Sequence, residues 1–277
     1  MNADKRRRAR VQGGWAPPSV SNVRSDRDKP KMPAGPAWLG KNIDQGSQSS
    51  EKKFVFEETD EIRQKPPDQV ITKAGVYDIS SGPAGVSRLR YFPCFIDPTE
   101  AKGMFDQLFE ECPWRQRSDS YNGEQYLQPR LTAWFGDLPY SYSGVTLDVN
   151  KDWPAVMRLL KQHLEEVTGL NFNSVLANLY RDGHDSVAWH ADDEKSLKEN
   201  PTIASLSFGD VRNFELRKKP ASGEDPALSQ LIRVPLPPGS LLIMEGATQA
   251  DWHHRVPREY HDRGPRINLT FRVIHPE

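Results

Sequence analysis

The chain has only two cysteines, Cys94 and Cys112, in 277 residues. Two thiols build neither a disulfide framework nor a four-cysteine zinc site. No run of about eighteen apolar residues occurs, so a helical membrane span is excluded and no membrane partner is expected. The opening residues are basic and lack an apolar h-region, so no secretory signal is expected. Hydrophobic residues make up 36% of the chain. That is below the usual globular share, so part of the chain is expected to stay unfolded. These absences point to an intracellular protein in a reducing compartment.

What is present is unevenly placed. The net charge is −1, but residues 1–50 hold ten Lys/Arg against four Asp/Glu. This arm therefore carries +6 and the remainder −7. Residues 1–68 have no sustained hydrophobic period and are rich in Pro, Gly, Ser and Gln, so a disordered basic arm is expected there. Its run Lys5-Arg6-Arg7-Arg8-Ala9-Arg10 suits a nuclear-localisation or nucleic-acid patch as well as a solvated tail. Phe54-Val55-Phe56 is its one apolar island.

A folded domain is expected over 69–277. Short strands are predicted at 70–71, 76–79 and 86–92. Asp97-Pro98 opens a helix as N-cap and first helical residue. Ala101, Met104, Phe105, Leu108, Phe109 and Cys112 follow at helical spacing before Pro113. A second helix begins near Pro154, with Val156, Leu159, Leu160, Leu164 and Val167 as its stripe and Gly169 as its cap. Strands are then predicted at 174–180, 203–208, 214–217, 232–234, 241–244 and 267–274. Many short strands after two helices suggest an α+β fold: a double-sheet barrel with helices on one side.

Seven histidines allow each to be weighed singly. His190-Ala191-Asp192 places two donors on one side of an extended segment. A third could come from His253 or His254, between which spacing does not choose. Two imidazoles and one carboxylate leave open positions on an ion, the facial arrangement of non-haem Fe(II). His-x-Asp alone is a weak motif, and a surface histidine beside acids is its ordinary meaning. The C-terminal strand adds to it. Arg266, Asn268, Thr270 and Arg272 share one face, and Ile267, Leu269 and Phe271 the other. Two guanidiniums about 20 Å apart or less, facing a barrel interior, need anions. Internal carboxylates would satisfy them; so would a small dicarboxylate chelating the metal. Asn178 and Tyr180 alternate on a further strand and could add neutral hydrogen bonds.

These segments resemble the AlkB family of Fe(II)- and 2-oxoglutarate-dependent dioxygenases. The likeness runs through Asn178-Leu179-Tyr180-Arg181, His190-Ala191-Asp192, Ala204-Ser205-Leu206-Ser207-Phe208-Gly209, His254 and Arg266-x-Asn268-x-Thr270-x-Arg272. It also takes in 129–136 and 244–249, and covers about residues 70–275. It implies a double-stranded β-helix (jelly-roll) core with flanking helices and a nucleotide-recognition lid. It implies that His190, Asp192 and His254 bind Fe(II), and that Asn178, Tyr180, Arg266, Asn268 and Arg272 bind 2-oxoglutarate. The implied reaction uses O2, with ascorbate as reductant in vitro. It oxidises the N-methyl group of 1-methyladenine or 3-methylcytosine and releases formaldehyde, succinate and CO2.

Residues 114–142 hold Trp114, Tyr121, Tyr126, Trp134, Phe135, Tyr140 and Tyr142 among Arg115, Arg117 and Arg130. Aromatics stack on bases and arginines meet phosphates, so a single-strand lid is expected. Three or four of the seven would instead be hairpin core. Tyr126, Arg130 and Tyr121 are the expected lid contacts, and Asp193 and Glu194 the acceptors for an exocyclic amine. The segment 118–124 is polar apart from Tyr121, too weak a wedge to open a duplex. Single-stranded DNA and RNA are therefore the expected substrates, a helicase the expected kind of partner, and a monomer the expected state. Nucleus and cytoplasm are the expected locations. The same chemistry on another RNA or a protein, an idle nucleic-acid-binding adaptor and a zinc hydrolase are the competing readings.

Overall fold

A computed structural model describes residues 65–121, 124–142 and 144–276. The basic run at 5–10, the island at 54–56, the expected arm up to residue 64 and the Tyr121 side chain lie outside the described residues. In chain order the elements are β1 (Gln69–Val70), β2 (Gly75–Gly82), β3 (Gly85–Phe92), α1 (Pro98–Glu111), β4 (Arg115–Tyr121) and β5 (Glu124–Gly136). Then come β6 (Tyr140–Tyr142), β7 (Val145–Leu147), α2 (Ala155–Thr168), β8 (Ser174–Tyr180), β9 (Val187–His190) and β10 (Ile203–Gly209). The last are β11 (Arg212–Lys218), β12 (Leu231–Leu236), β13 (Ser240–Gly246), α3 (Thr248–Asp251), β14 (Trp252–Val256) and β15 (Arg266–Arg272).

The strands form a major sheet, β2-β3-β13-β10-β15-β8-β5-β4, and a minor sheet, β1-β12-β11-β14-β9. All pairings in them are antiparallel except β1 with β12. The two sheets face each other across one apolar cluster. Leu89, Ile203, Leu242 and Met244 of the major sheet meet Phe214, Leu216, Ile232, Val234 and Trp252 of the minor one. The helices cover the major sheet's other face, where Leu108, Val156, Leu160 and Leu164 pack on Phe135, Val175, Leu206, Ile267, Leu269 and Phe271. This is the jelly-roll core with helices on one side, as the sequence pattern suggested.

Local chemistry sets the helix ends. Asp97 caps α1, its carboxylate accepting the Thr99 N–H at 2.8 Å. Gly169 ends α2 in the left-handed region at φ 72°, its N–H bonding the Glu165 carbonyl. The α2 stripe is corrected by one residue. Val156, Met157, Leu160 and Leu164 are buried, whereas Leu159 and Val167 are 56% and 55% exposed. Met157, not Leu159, completes the i, i+3, i+4 face. On α1, Phe109 is likewise exposed. The turn at Pro237-Pro238-Gly239 requires its glycine: φ is +77°, and a Cβ would stand 2.2 Å from the Ile96 carbonyl oxygen.

The largest departure from the sequence pattern is the hairpin β4–β5. Residues 131–136 of β5 pair with β8 inside the major sheet, while its first half pairs only with β4. Trp134, Phe135, Tyr140 and Tyr142 are buried and Tyr126 is 46% exposed. Four of the seven aromatics are thus core.

Candidate active site

Strands β14 and β9 pair with His254 directly opposite His190. Alternation along β14 buries Trp252, His254 and Val256 and leaves His253 half-buried. His254, not His253, borders the space between the sheets. Asp192 follows two residues after His190. The ligand atoms of His190, Asp192 and His254 all lie within 4.8 Å of one another. His190 Nε2 stands 3.5 Å and His254 Nε2 3.8 Å from Asp192 Oδ1. Neighbouring groups orient all three. His190 Nδ1 lies 2.8 Å from the Ala188 carbonyl, which leaves Nε2 as the free donor. His254 stacks on Phe214 at 5.1 Å. Asp192 Oδ2 accepts from Arg272 Nε at 3.0 Å and Nη2 at 2.6 Å, and its backbone N–H donates to Gln249 Oε1 at 3.0 Å. One carboxylate oxygen is therefore held by Arg272 and the other faces the histidines.

The electrostatics favour cation binding. Burial, then the neighbouring His190, pushes His254 down to about 3. His190 is also lowered, chiefly by burial. Both imidazoles are thus neutral and ligand-ready near neutral pH. Burial acts to raise the Asp192 carboxyl, but Arg272 with the two histidines holds it well below the usual carboxylate range. Arg272, pulled down by burial, is raised by its Asp192 partner.

An anion site lies in the same space. Across β15 and β8, Arg266 stands opposite Tyr180 and Asn268 opposite Asn178. Arg266 is 1% exposed. Its Nη2 donates to Ser207 Oγ at 3.0 Å, its guanidinium lies 5.2 Å from the Tyr180 ring centre, and its Nε and Nη1 are buried without a hydrogen-bond partner among the described residues. Burial lowers its pKa to about 10, so it stays a cation at neutral pH. A buried fork with free N–H groups is a receptor for a carboxylate. Asn268 donates to Ser205 Oγ at 2.7 Å and to the Leu206 carbonyl at 3.0 Å, and accepts from Thr270. One cavity of about 620 Å³ is bordered by the His/Asp cluster, Arg266, Asn268, Arg272, Asn178 and Tyr180.

Comparison with known proteins agrees with this geometry. Residues 88–272 match the 2OG-Fe(II) oxygenase superfamily. The chain is 50% identical to the alpha-ketoglutarate-dependent dioxygenase alkB homolog 3 of Bos taurus, over 99% of this chain and 97% of that protein. It is 49% identical to the Homo sapiens protein of the same name over the same shares. The chain belongs to the AlkB family of 2OG-Fe(II) oxygenases. It is also 42% identical to the Homo sapiens DNA oxidative demethylase ALKBH2, over 55% of this chain and 59% of that protein. As an AlkB-family dioxygenase it uses Fe(II), 2-oxoglutarate and O2. The donor set suits the metal, and the unpaired Arg266 suits a dicarboxylate.

On the far side of the dioxygenase cavity stands the β4–β5 hairpin. Tyr126 and Arg130 border the cavity there, as does Glu194 from the turn beyond β9. Arg130 Nε donates to Asn178 Oδ1 at 3.0 Å and so ties the hairpin to β8. Asp193 does not border the cavity. Its side chain is 68% exposed and lies 3.8 Å from Lys219 Nζ. Glu194 is raised by burial first and by the Asp192 charge second.

Sequence reasoning singled out none of five contributors as a site residue. Tyr140 and Tyr142 both border the cavity; their period-2 spacing was a usable signal. Gln128 borders it too, and Gln249 holds the Asp192 backbone, neither with a pattern to betray it. Arg212, which no motif marked, is buried at 1% exposure on β11. It donates to the carbonyls of Asp182 (3.0 Å), Asp185 (2.9 Å) and Pro257, pinning the loop that leads into β9. An Arg212→Leu dioxygenase should lose about 2–4 kcal/mol of stability in urea unfolding, because the carbonyls it holds would lose their donor and the buried Glu259, 3.5 Å from its Nε, its cationic partner. A change within about 0.5 kcal/mol would contradict that role.

Proposed function

We propose that this dioxygenase removes methyl groups oxidatively from 1-methyladenine and 3-methylcytosine in single-stranded DNA and RNA, with release of formaldehyde, succinate and CO2. The reading rests above all on one cavity in which the His/Asp cluster adjoins both a buried, unpaired guanidinium and an aromatic lid. The names of the relatives, a DNA oxidative demethylase among them, point the same way.

His190, Asp192 and His254 would hold Fe(II). Arg266 would take the remote carboxylate of 2-oxoglutarate, with Asn178, Tyr180, Asn268 and Arg272 lining its seat. When bound, iron, 2-oxoglutarate and O2 supply oxidation of the methyl carbon, which the base nitrogen then sheds as formaldehyde. The chain's own residues orient and shield. Arg272 keeps Asp192 ionised and aimed. Tyr126 and Tyr142 offer rings against which an extruded base can stack, with Tyr140 packed behind Tyr142. Glu194 offers an acceptor for the exocyclic amine, and a cationic methylated base favours its ionised form. The sequence 118–124 is polar apart from Tyr121 and offers no strong wedge, so single strands, which cost less to open, are the natural substrates. A strand-separating helicase would supply them, and nucleus and cytoplasm are where both polymers are met.

The test is formaldehyde and succinate release from 3-methylcytosine in single-stranded DNA, single-stranded RNA and duplex, with Fe(II), ascorbate, 2-oxoglutarate and O2. Turnover on single strands, absent in His254→Ala, is the expected result. Succinate without formaldehyde would show an oxygenase with another substrate. Strand binding that survives in His254→Ala, with no turnover in the unaltered protein, would favour an adaptor.

A further inference from the structure

Gln128 lies on β5 between Tyr126 and Arg130, on the same side by strand alternation, and all three border the cavity. Its side chain is buried, at 1% exposure. Its Oε1 accepts from the Tyr142 hydroxyl at 3.5 Å, and its backbone carbonyl accepts from Gln116 Nε2 at 2.9 Å. Its Nε2 is buried with no acceptor among the described residues. A buried amide donor without a partner is costly in a native protein and calls for a group that completes it.

A second unpaired atom borders the same cavity. Glu194 Oε2 is buried without a hydrogen-bond partner among the described residues, while the carboxyl also faces the Tyr140 hydroxyl. Tyr140 and Tyr142 stack with ring centres 5.6 Å apart. A free acceptor, on Glu194, and a free donor, on Gln128, therefore hang from adjacent stacked tyrosines.

We propose that Gln128 reads the 2-carbonyl of 3-methylcytosine and so sets the enzyme's discrimination between its bases. The inference rests on the demethylase reading and deepens it. Along the pairing edge of 3-methylcytosine stand an amine, the methylated nitrogen and a carbonyl oxygen. Along that of 1-methyladenine stand an amine, the methylated nitrogen and a C–H. With the methyl group toward the histidines and the amine on Glu194, the third group of the cytosine accepts from Gln128 Nε2. The adenine C–H leaves that donor unpaired. A site built to hydrogen-bond one group rejects the analogue lacking it.

The experiment compares kcat/KM for the two bases in otherwise identical single strands, using the Fe(II) enzyme, Gln128→Leu and Gln128→Met. The ratio of 3-methylcytosine to 1-methyladenine should fall about tenfold in both variants, the value of one hydrogen bond with its unpaired-donor penalty. General damage to the hairpin would lower both rates alike, and an unchanged ratio overturns the proposal. Replacing the cytosine O2 by sulfur, a weaker acceptor, should lower the rate of the unaltered enzyme but leave Gln128→Leu indifferent. Equal sensitivity in both would also overturn it. Fluorescence anisotropy of the same strands on the anaerobic Fe(II) enzyme should show the same ordering without turnover. If the unaltered enzyme acts on neither base, the demethylase reading fails and this inference with it; activity on both with a fixed ratio sinks the inference alone.

Discussion

An Arg266→Leu enzyme is expected to need about a hundred- to a thousandfold more 2-oxoglutarate for half-maximal rate. The guanidinium is buried, faces the Tyr180 ring, donates to Ser207 by one nitrogen and keeps two others without a hydrogen-bond partner among the described residues. A dicarboxylate would supply what it lacks, and losing a buried charge-assisted pair of this kind costs roughly 2–5 kcal/mol. The leucine variant should nonetheless be at least as stable as the parent without ligand, because a buried cation lacking a carboxylate has been removed. Added 2-oxoglutarate should raise the melting temperature of the parent and not of the variant. Arg266→Lys should fall between them, since one ammonium cannot reproduce the fork. A KM that stays within about threefold in the leucine variant, a change of well under 1 kcal/mol, would refute this assignment.

Asp192→Ala should abolish turnover, a loss of at least about a thousandfold, and should also weaken the fold by about 3–5 kcal/mol. Both effects follow from one carboxylate. Oδ1 completes the donor set with the histidines, and Oδ2 neutralises Arg272 through two bonds. Removing it strands a fully buried guanidinium, whose Nη1 is already unpartnered. His254→Ala removes a ring that burial keeps neutral, so it should abolish turnover while stranding no charge. That makes it the cleaner inactive control in binding assays. Urea unfolding of the two metal-free variants distinguishes the effects: equal stabilities would mean that the Asp192–Arg272 pair contributes little.

The parts of the fold visible in the sequence were those whose periods were uninterrupted. The alternation of Arg266 to Arg272 displays its two faces directly, and the structure sends Ile267, Leu269 and Phe271 to the helices. The capping chemistry of Asp97 and Gly169 was equally plain. The hairpin was opaque because β5 changes environment midway: its first residues are exposed and its last buried, so no single period runs through it. Strands β9 and β14 are short, with a register irregularity between His254 and Val256, and their pairing joins segments far apart in the chain. Spacing along the chain therefore left His253 and His254 equivalent, while the alternation of β14 separates them. Asp193 looked equivalent to Glu194 for the same reason, until the turn after β9 pointed one toward solvent and the other into the cavity. Arg212 donates to backbone carbonyls, which carry no sequence signature, and its Nε lies 3.5 Å from Glu259, a partner far along the chain that no spacing marks.

The two-faced β15 also bears on which changes of length the protein can survive. Because its side chains alternate, adding or deleting one residue within 266–272 would exchange the faces. Guanidiniums would enter the layer against the helices, and Ile267, Leu269 and Phe271 would line the cavity. Such a change destroys core and chemistry together, with no intermediate grade of damage. The exposed stretch 221–228 between β11 and β12 has no such alternation, and residues gained or lost there are absorbed by surface loop. A library of single-residue insertions and deletions should therefore show a sharp dead zone at β15 beside a permissive one at 221–228, a contrast that substitutions alone would not reveal.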